Sequence, residues 1–414
     1  MGGLIDLLPL SYTDSVVVLG AAVLGIAAGV LGALAVLPRR SLVGDALAHS
    51  ALPGVAIAFL VTGAKDPASL LVGAGIAGLI GALMMIGIER TSRIRPDAAI
   101  GVVLSSFFSL GIVLLTYISS TGNAQQAGLE SYLFGQAAGL LERDVEVMAL
   151  LAAAAIGLVA IAFRPLKVAL FDRGFAASVG LPLRLIELAS TALLVVAIVI
   201  GLRAVGAILM VAMLIVPAVT ARQLTSRLAV LLPVAGLVGA GVGVTGALVS
   251  ARAEVPTGPA IVLAGTAVVL LAVLLAPGRG VLWQTARRRR ERRREGASGV
   301  LIDLETALHA GPPPTEEELR LACARPRGAM RRGLRDLERA RLLERDGPRL
   351  VLTEAGAAAA HRALQGRRLW SAWLEHGWRL DLGDAREPDP RDLRASLGDE
   401  LTERLRTLAA EGAR

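Results

Sequence analysis

Two residues of this chain have the type and spacing to hold a metal ion: Asp45 and His49, in the run Ser41-Leu42-Val43-Gly44-Asp45-Ala46-Leu47-Ala48-His49-Ser50-Ala51-Leu52-Pro53-Gly54. Side chains four apart on a helix share one face, with Cβ atoms about 5–6 Å apart. Pro53 has no N–H and cannot bond the carbonyl of His49 four residues back, which is left free. A carboxylate oxygen, an imidazole nitrogen and a freed carbonyl suit manganese, zinc or ferrous ions. The run around the pair is apolar, and ionisable groups within a membrane-length apolar segment are costly and face a bundle interior or a wet path. The bland alternative is that Asp45 and His49 bond only each other or a neighbouring helix.

The elements that position the pair are membrane spans. Hydrophobic residues make up 54% of the 414 and aromatic ones 3%. The apolar residues gather in runs near 20 long, parted by short charged connectors, as in an integral membrane protein. The predicted spans are 15–37, 42–61, 68–88, 98–118, 145–163, 184–202, 205–221, 228–250 and 257–276. That makes nine, or eight if one is re-entrant or if the two segments flanking Arg203 form one broken helix. The expected fold class is an all-α polytopic membrane protein with a small soluble domain.

The basic connectors are Arg39-Arg40, Glu89 to Arg95, Arg164 to Lys167, Arg184, Arg222 to Arg227 and the arginine run after 286. Positive loops face the cytoplasm, so nine spans place the N-terminus outside and the C-terminal portion in the cytoplasm. Lys65-Asp66 and the 119–144 connector then fall outside, with residues 129–136 as a short amphipathic piece at the membrane surface. Met1 to Leu10 holds Asp6 and no Lys or Arg, so it lacks a basic signal-peptide start and the first span is expected to direct insertion. The glycines Gly73, Gly75, Gly78 and Gly81, and Gly236, Gly239, Gly241, Gly243 and Gly246, read as helix-packing faces, since small residues let backbones approach in lipid.

Several chemistries are excluded. Cys323 is the single cysteine, so neither an internal disulfide nor a thiolate cluster can form. No Walker-type phosphate loop and no nucleophile motif occurs, and the chain does not read as an enzyme. The formal charge of +8 is uneven, because arginine is concentrated in the final third.

The organisation reads as a transmembrane domain over 1–283, a basic juxtamembrane linker over 284–299 and an accessory domain over 300–414. Seven arginines in 287–294 would attract anionic lipid headgroups. In the tail, Leu301 to His309, Thr315 onward and Pro326 to Leu343 read as three helices, and Arg349 to Thr353 as a strand. That order suggests a winged helix-turn-helix. Arg327, Arg331, Arg332 and Arg335 would share one side of its third helix, offering a surface for DNA or, preferentially, a solvated or protein-docking face.

Three blocks carry a resemblance. Leu42 to Gly54 looks like the signature of the manganese/zinc/iron ABC-transporter permease family. Leu170-Phe171-Asp172-Arg173-Gly174-Phe175-Ala176-Ala177-Ser178-Val179-Gly180-Leu181-Pro182 resembles its cytoplasmic coupling segment, and Gly201 to Ala218 matches a third block in the same order. The resemblance implies a homodimer of permeases, a separate cytoplasmic ATPase, an extracytoplasmic metal-binding protein and location in a bacterial-type inner membrane. It assigns Asp45 and His49 to the transported ion, which is cargo rather than a permanently bound cofactor. Phe171, Asp172, Phe175 and Gly180 are assigned to ATPase docking, with Phe171 and Phe175 four apart on one helical face as its anchors, the alternative for the two rings being anchorage at the membrane interface. Gly333 to Leu343 and Leu352 to Gly356 resemble the diphtheria-toxin-repressor family of metal-dependent regulators. Arg367 and Ser371, however, stand where that family places ligating residues, which speaks against metal sensing. The rival function is a membrane-tethered, metal-responsive transcription regulator.

Overall fold

The computed structural model describes residues 11–38, 40–64, 66–120, 135, 139–202, 204–278, 280–380 and 393–412. They fall into two compact units, Met1–Trp283 and Gln284–Arg414. In the first, the helices are α1 (Tyr12–Val36), α2 (Leu42–Thr62), α3 (Pro67–Thr91), α4 (Pro96–Ser120), α5 (Glu142–Ile161), α6 (Phe163–Phe171), α7 (Arg173–Ser178), α8 (Leu183–Leu202), α9 (Ala207–Leu224), α10 (Leu228–Ala253) and α11 (Thr257–Leu275).

Local chemistry sets the helix ends. Ser11 accepts a hydrogen bond from the Asp14 amide and starts α1. Asp66 accepts from the Ser69 amide at 2.9 Å with Pro67 at the first helical position, which starts α3. Both are the side-chain caps that satisfy otherwise orphaned N–H groups. Gly63 closes α2 in the left-handed conformation, φ +65°, where a Cβ would be strained.

Among the described residues eight helices are long and apolar enough to cross a membrane: α1 to α5, α8, α10 and α11. The predicted segment 205–221 forms α9, whose apolar part is shorter. Its 18 residues rise about 27 Å, at the short limit of a bilayer core of about 30 Å. Its two ends nevertheless lie at opposite ends of the bundle. Arg222, near its C-terminus, points Nη1 at the Val36 carbonyl where α1 ends. Val205, just before it, packs on Gly135 in the connector that leads to α5, and α5 begins beside Tyr12 through the Tyr12–Glu142 hydrogen bond. Among the described residues α9 thus runs from one end of the bundle to the other beside the eight helices of membrane-spanning length.

α1 and α2 form the centre, where Leu24, Ala27, Leu31, Ala46 and Ala48 are fully buried. α3, α4, α5 and α11 present mostly exposed apolar side chains such as Val72, Val113, Leu150 and Leu263, the surface lipid would cover. Close approaches use glycine: Gly25 and Gly239 bring α1 and α10 into backbone contact, and Gly54 and Gly73 do so for α2 and α3. Residues 129–134 and 136, expected as a surface amphipathic piece, lie outside the described residues.

The second unit contains α12 (Val281–Ala310), which begins just before it, then α13 (Glu316–Ala322), α14 (Arg327–Arg339), β1 (Leu343–Asp346), β2 (Arg349–Leu352), α15 (Glu354–His376), a 3-10 turn at Gly377–Arg379, and α16 (Leu393–Gly412). Residues 284–299, expected as a juxtamembrane linker, are helical within α12, and Ala297 packs with Val300, Leu301 and Leu304. The hairpin pairs Leu343 with Leu352 and Asp346 with Arg349. Gly347 supplies the positive φ of its turn. Met330, Leu334, Leu337, Leu319 and Leu350 fill the core between helices and hairpin. A capping box starts α13: Thr315 Oγ1 accepts from the Glu318 amide, and the Glu318 carboxylate accepts from the Thr315 amide at 2.7 Å. That backbone hydrogen bond holds the Glu318 carboxyl below its usual range.

Candidate metal centre and coupling segment

Asp45 stands in the first turn of α2 and His49 one turn further, so the pair lies toward the start of the helix rather than at its middle. His49 Nε2 is 3.4 Å from Asp45 Oδ1. Both side chains are partly accessible, 14% for His49 and 31% for Asp45. The His49 ring meets Phe108 of α4 edge-on, with centroids 4.8 Å apart, which fixes the ring plane. Among the described residues His49 Nδ1 is buried without a hydrogen-bond partner. α2 continues through Pro53, and Gly111 of α4 provides the space its ring needs. Among the described residues no three His, Cys, Asp or Glu side chains cluster for a metal. Asp45 and His49 by themselves number fewer side-chain donors than a divalent transition ion takes.

The coupling block folds differently from the single helix expected. Asp172 adopts an extended backbone, φ −143° and ψ 91°, and divides α6 from α7. Phe171 ends one helix and Phe175 belongs to the next, so they do not share one helical face. The break has a local cause: Asp172 Oδ1 accepts from the Phe175 amide at 2.8 Å, and an aspartate favours this capping conformation over the helix interior. Phe171 and Phe175 are still more than half exposed, as is Val179. Gly180 takes φ +78° and ends the block. Buried Leu166 and Ala176 tie it to the bundle.

Sequence reasoning passed over Glu187, in the second turn of α8. Its carboxylate accepts from Arg40 at 3.0 Å and from Arg90 at 3.1 Å, and it lies 3.6 Å from Arg173. Arg40 also pairs with Glu89 at 3.2 Å. An acid close to the start of an apolar run was the available signal, since such groups are costly unless paired. Its partners are distant in sequence and could not be read.

In the tail, Arg327, Arg331, Arg332 and Arg335 are all exposed on α14, whose Met330, Leu334 and Leu337 are buried. The structure brings them to one face, yet part of their charge is met locally. Arg327 lies 3.5 Å from Glu317 and Arg331 3.5 Å from Glu316, while Arg335 donates to the Arg331 carbonyl. Arg320 hydrogen bonds hold the Glu317 carboxyl down at about 2. Its contribution to stability is therefore present above the ordinary carboxylate pKa of about 4.3 and is lost as pH falls through about 2. Arg367 and Ser371 line a cleft on α15 with Arg368 and Glu375, a set with one metal-type ligand.

The model of the ABC 3 transport family matches residues 13–276, the span that holds both the Asp45–His49 pair and the coupling block. The chain belongs to that family. The manganese transport system membrane protein MntC of Bacillus subtilis is 39% identical over 390 residues, covering 92% of this chain and 90% of the relative. Because the first unit ends at residue 283, that match extends into the tail. The zinc transport system membrane protein TroC of Treponema pallidum is 47% identical over 281 residues, 67% of this chain and 94% of the relative. Among solved structures, PsaBC from Streptococcus pneumoniae in complex with Fab superposes with a TM-score of 0.59 at 32% identity, covering 67% of this chain and 97% of that one. As a family member the chain is a multi-pass membrane permease of an ABC transporter, not an enzyme, and ATP hydrolysis belongs to a separate subunit.

Proposed function

We propose that this ABC 3 permease imports a divalent transition-metal ion, manganese, zinc or ferrous iron, and that Asp45 and His49 bind it in passage. The observation that carries the reading is the partly exposed Asp45–His49 pair, an oxygen and nitrogen donor set that suits these ions. The relatives that carry manganese and zinc in their names support the same class. Two side-chain donors are too few for a tight cage, and a second copy of the chain facing the first supplies two more. Ser105, Ser106 and Ser109 accompany Phe108 on the exposed side of α4, giving the face beside His49 a polarity that suits a partner or a wet path rather than lipid. An extracytoplasmic metal-binding protein delivers the ion.

The bundle end that gathers Arg40, Arg90, Arg173 and Arg222 faces the cytoplasm, following the bias of positive loops. There Phe171 and Phe175 are the anchors for the ATPase, aromatic side chains being enriched where partners bind. Replacing both by alanine is expected to weaken ATPase binding by about 30-fold, the loss of about 2 kcal/mol typical of such anchors. A pull-down titration with the ATPase subunit measures it, and unchanged affinity removes the assignment. The tail, ordered as helix, helix, helix and hairpin like a winged helix, is a cytoplasmic accessory module. The arginines of 287–294 contact anionic lipid. The Glu316 and Glu317 contacts to Arg331 and Arg327 favour a docking surface over a nucleic-acid interface, and the exposed coupling block favours transport over a tethered regulator.

Reconstitution with the ATPase tests the whole reading. Vesicles holding both subunits are expected to accumulate manganese, zinc or iron only with ATP and the binding protein present. Failure to move any of the three overturns it.

A further inference from the structure

Three arginines from three separate elements converge on Glu187. Arg40 comes from the turn between α1 and α2, Arg90 from the end of α3 and Arg173 from the start of α7. The Glu187 side chain is 18% exposed, and no single arginine accounts for its placement. An isolated exposed ion pair contributes little. A half-buried carboxylate shared by three guanidinium groups is different, because removing it takes the shared counter-charge from Arg90 and Arg173 and leaves Arg40 with Glu89 alone.

What these partners are attached to gives the node its meaning. Arg173 is the first residue of α7, directly after Asp172, inside the coupling block. Arg40 is fixed by its backbone at both sides: its amide donates to the Ala35 carbonyl of α1, and its carbonyl accepts from the Val43 amide of α2 at 3.0 Å. Asp45 stands two residues beyond Val43, in the first turn that Arg40 anchors. An apolar cleft bordered by Leu34, Met85, Leu170 and Ile186 lies beside the node. The ion pairs are thus stiff polar links between helices that otherwise meet through adaptable apolar side chains.

We propose that Glu187 is a positioning residue for transport, carrying displacement of the coupling block through Arg173 to Arg40 and so to the turn of α2 that bears Asp45. This rests on the reading of Phe171 to Gly180 as the ATPase dock. Coupling between sites travels through elements that both sites bias, and this chain of contacts joins the two with a single carboxylate between them. Arg90 and Glu89 tie α3 to the same node, so α2 and α3 move with it.

The test uses the complete permease with its ATPase in vesicles and reads manganese, zinc or iron ions carried per ATP hydrolysed. Glu187→Gln keeps the shape of the side chain and removes its charge. ATP hydrolysis is expected to persist while the ions carried per ATP fall about fivefold or more, the lower end of ordinary coupling energies. Arg173→Gln is a second variant at a side chain 58% exposed; it leaves Arg40 and Arg90 on Glu187 and is expected to shift the ratio in the same direction. It also keeps the proposal open to refutation should Glu187→Gln not fold. A ratio equal to wild type in the folded variants overturns the proposal, whatever their absolute rates. Failure of the docking assignment registers separately, as an ATPase affinity that Phe171→Ala and Phe175→Ala leave unchanged in a permease that keeps Glu187 and Arg173.

Discussion

Asparagine at position 45 is expected to lower metal uptake by about 100-fold, and alanine at 45 or 49 to do the same. Even groups that only support a ligand cost 10–100-fold when removed, and a site with two side-chain donors per chain has none to spare. Asp45→Asn is the decisive variant. It retains the size of the carboxylate and an oxygen that can accept from His49, so it preserves the pair if the two residues merely bond each other. A metal site loses the charge that offsets a divalent ion. Radiometal uptake into vesicles, compared with the amount of folded permease in the same membrane, separates the two. Uptake at the wild-type rate by Asp45→Asn removes the ion from this site. Insertion and folding are expected to survive Asp45→Asn, because the Asp45 side chain is 31% exposed and its replacement still accepts from His49, 3.4 Å away.

The sequence made this pair legible because its cause is local: two ionisable groups one turn apart in an apolar run admit few meanings. The spans were legible for the same reason, since apolar length is a property of each segment alone. Boundaries set by side-chain caps were harder. Asp172 ends one helix and starts the next, and the four-residue spacing of Phe171 and Phe175 looked like one face because the capping preference of the aspartate between them was given no weight. The first strand of the tail hairpin, Leu343–Asp346, has three charged residues in four. It forms because Leu343 and Leu350 reach the core from a tight Gly347 turn, not because the segment favours a strand. Glu187 could not be read as a node, since its partners Arg40 and Arg90 are 147 and 97 residues away. Pairings at that distance follow from the packed bundle, and no local pattern encodes them.

The glycines divide in a way that spacing does not reveal. Gly239 and Gly243 touch the backbone of α1 at Gly25 and Ala21, whereas a Cβ at Gly241 on the same helix meets open space. The expectation that all the glycines of this stretch are packing residues therefore holds for some positions and fails at Gly241. Valine at Gly239 is expected to cost about 3 kcal/mol or more, the upper range for forcing atoms into a packed core, because the new Cβ overlaps the Gly25 carbonyl and backbone cannot step aside as a side chain can. Gly241→Val is expected to be neutral within about 0.5 kcal/mol, as for surface substitutions. Thermal unfolding of the detergent-purified permease, followed by loss of monodisperse protein, measures both. The contrast bears on transport, since Gly54 and Gly73 hold α2 against α3 by the same backbone contact and α2 carries Asp45 and His49. Gly54→Val should pry α2 from α3 and lower uptake together with stability, whereas Asp45→Asn lowers uptake alone. Equal melting of Gly239→Val and Gly241→Val would mean that α1 and α10 are not held at glycine distance, and that the bundle centre is packed by other contacts.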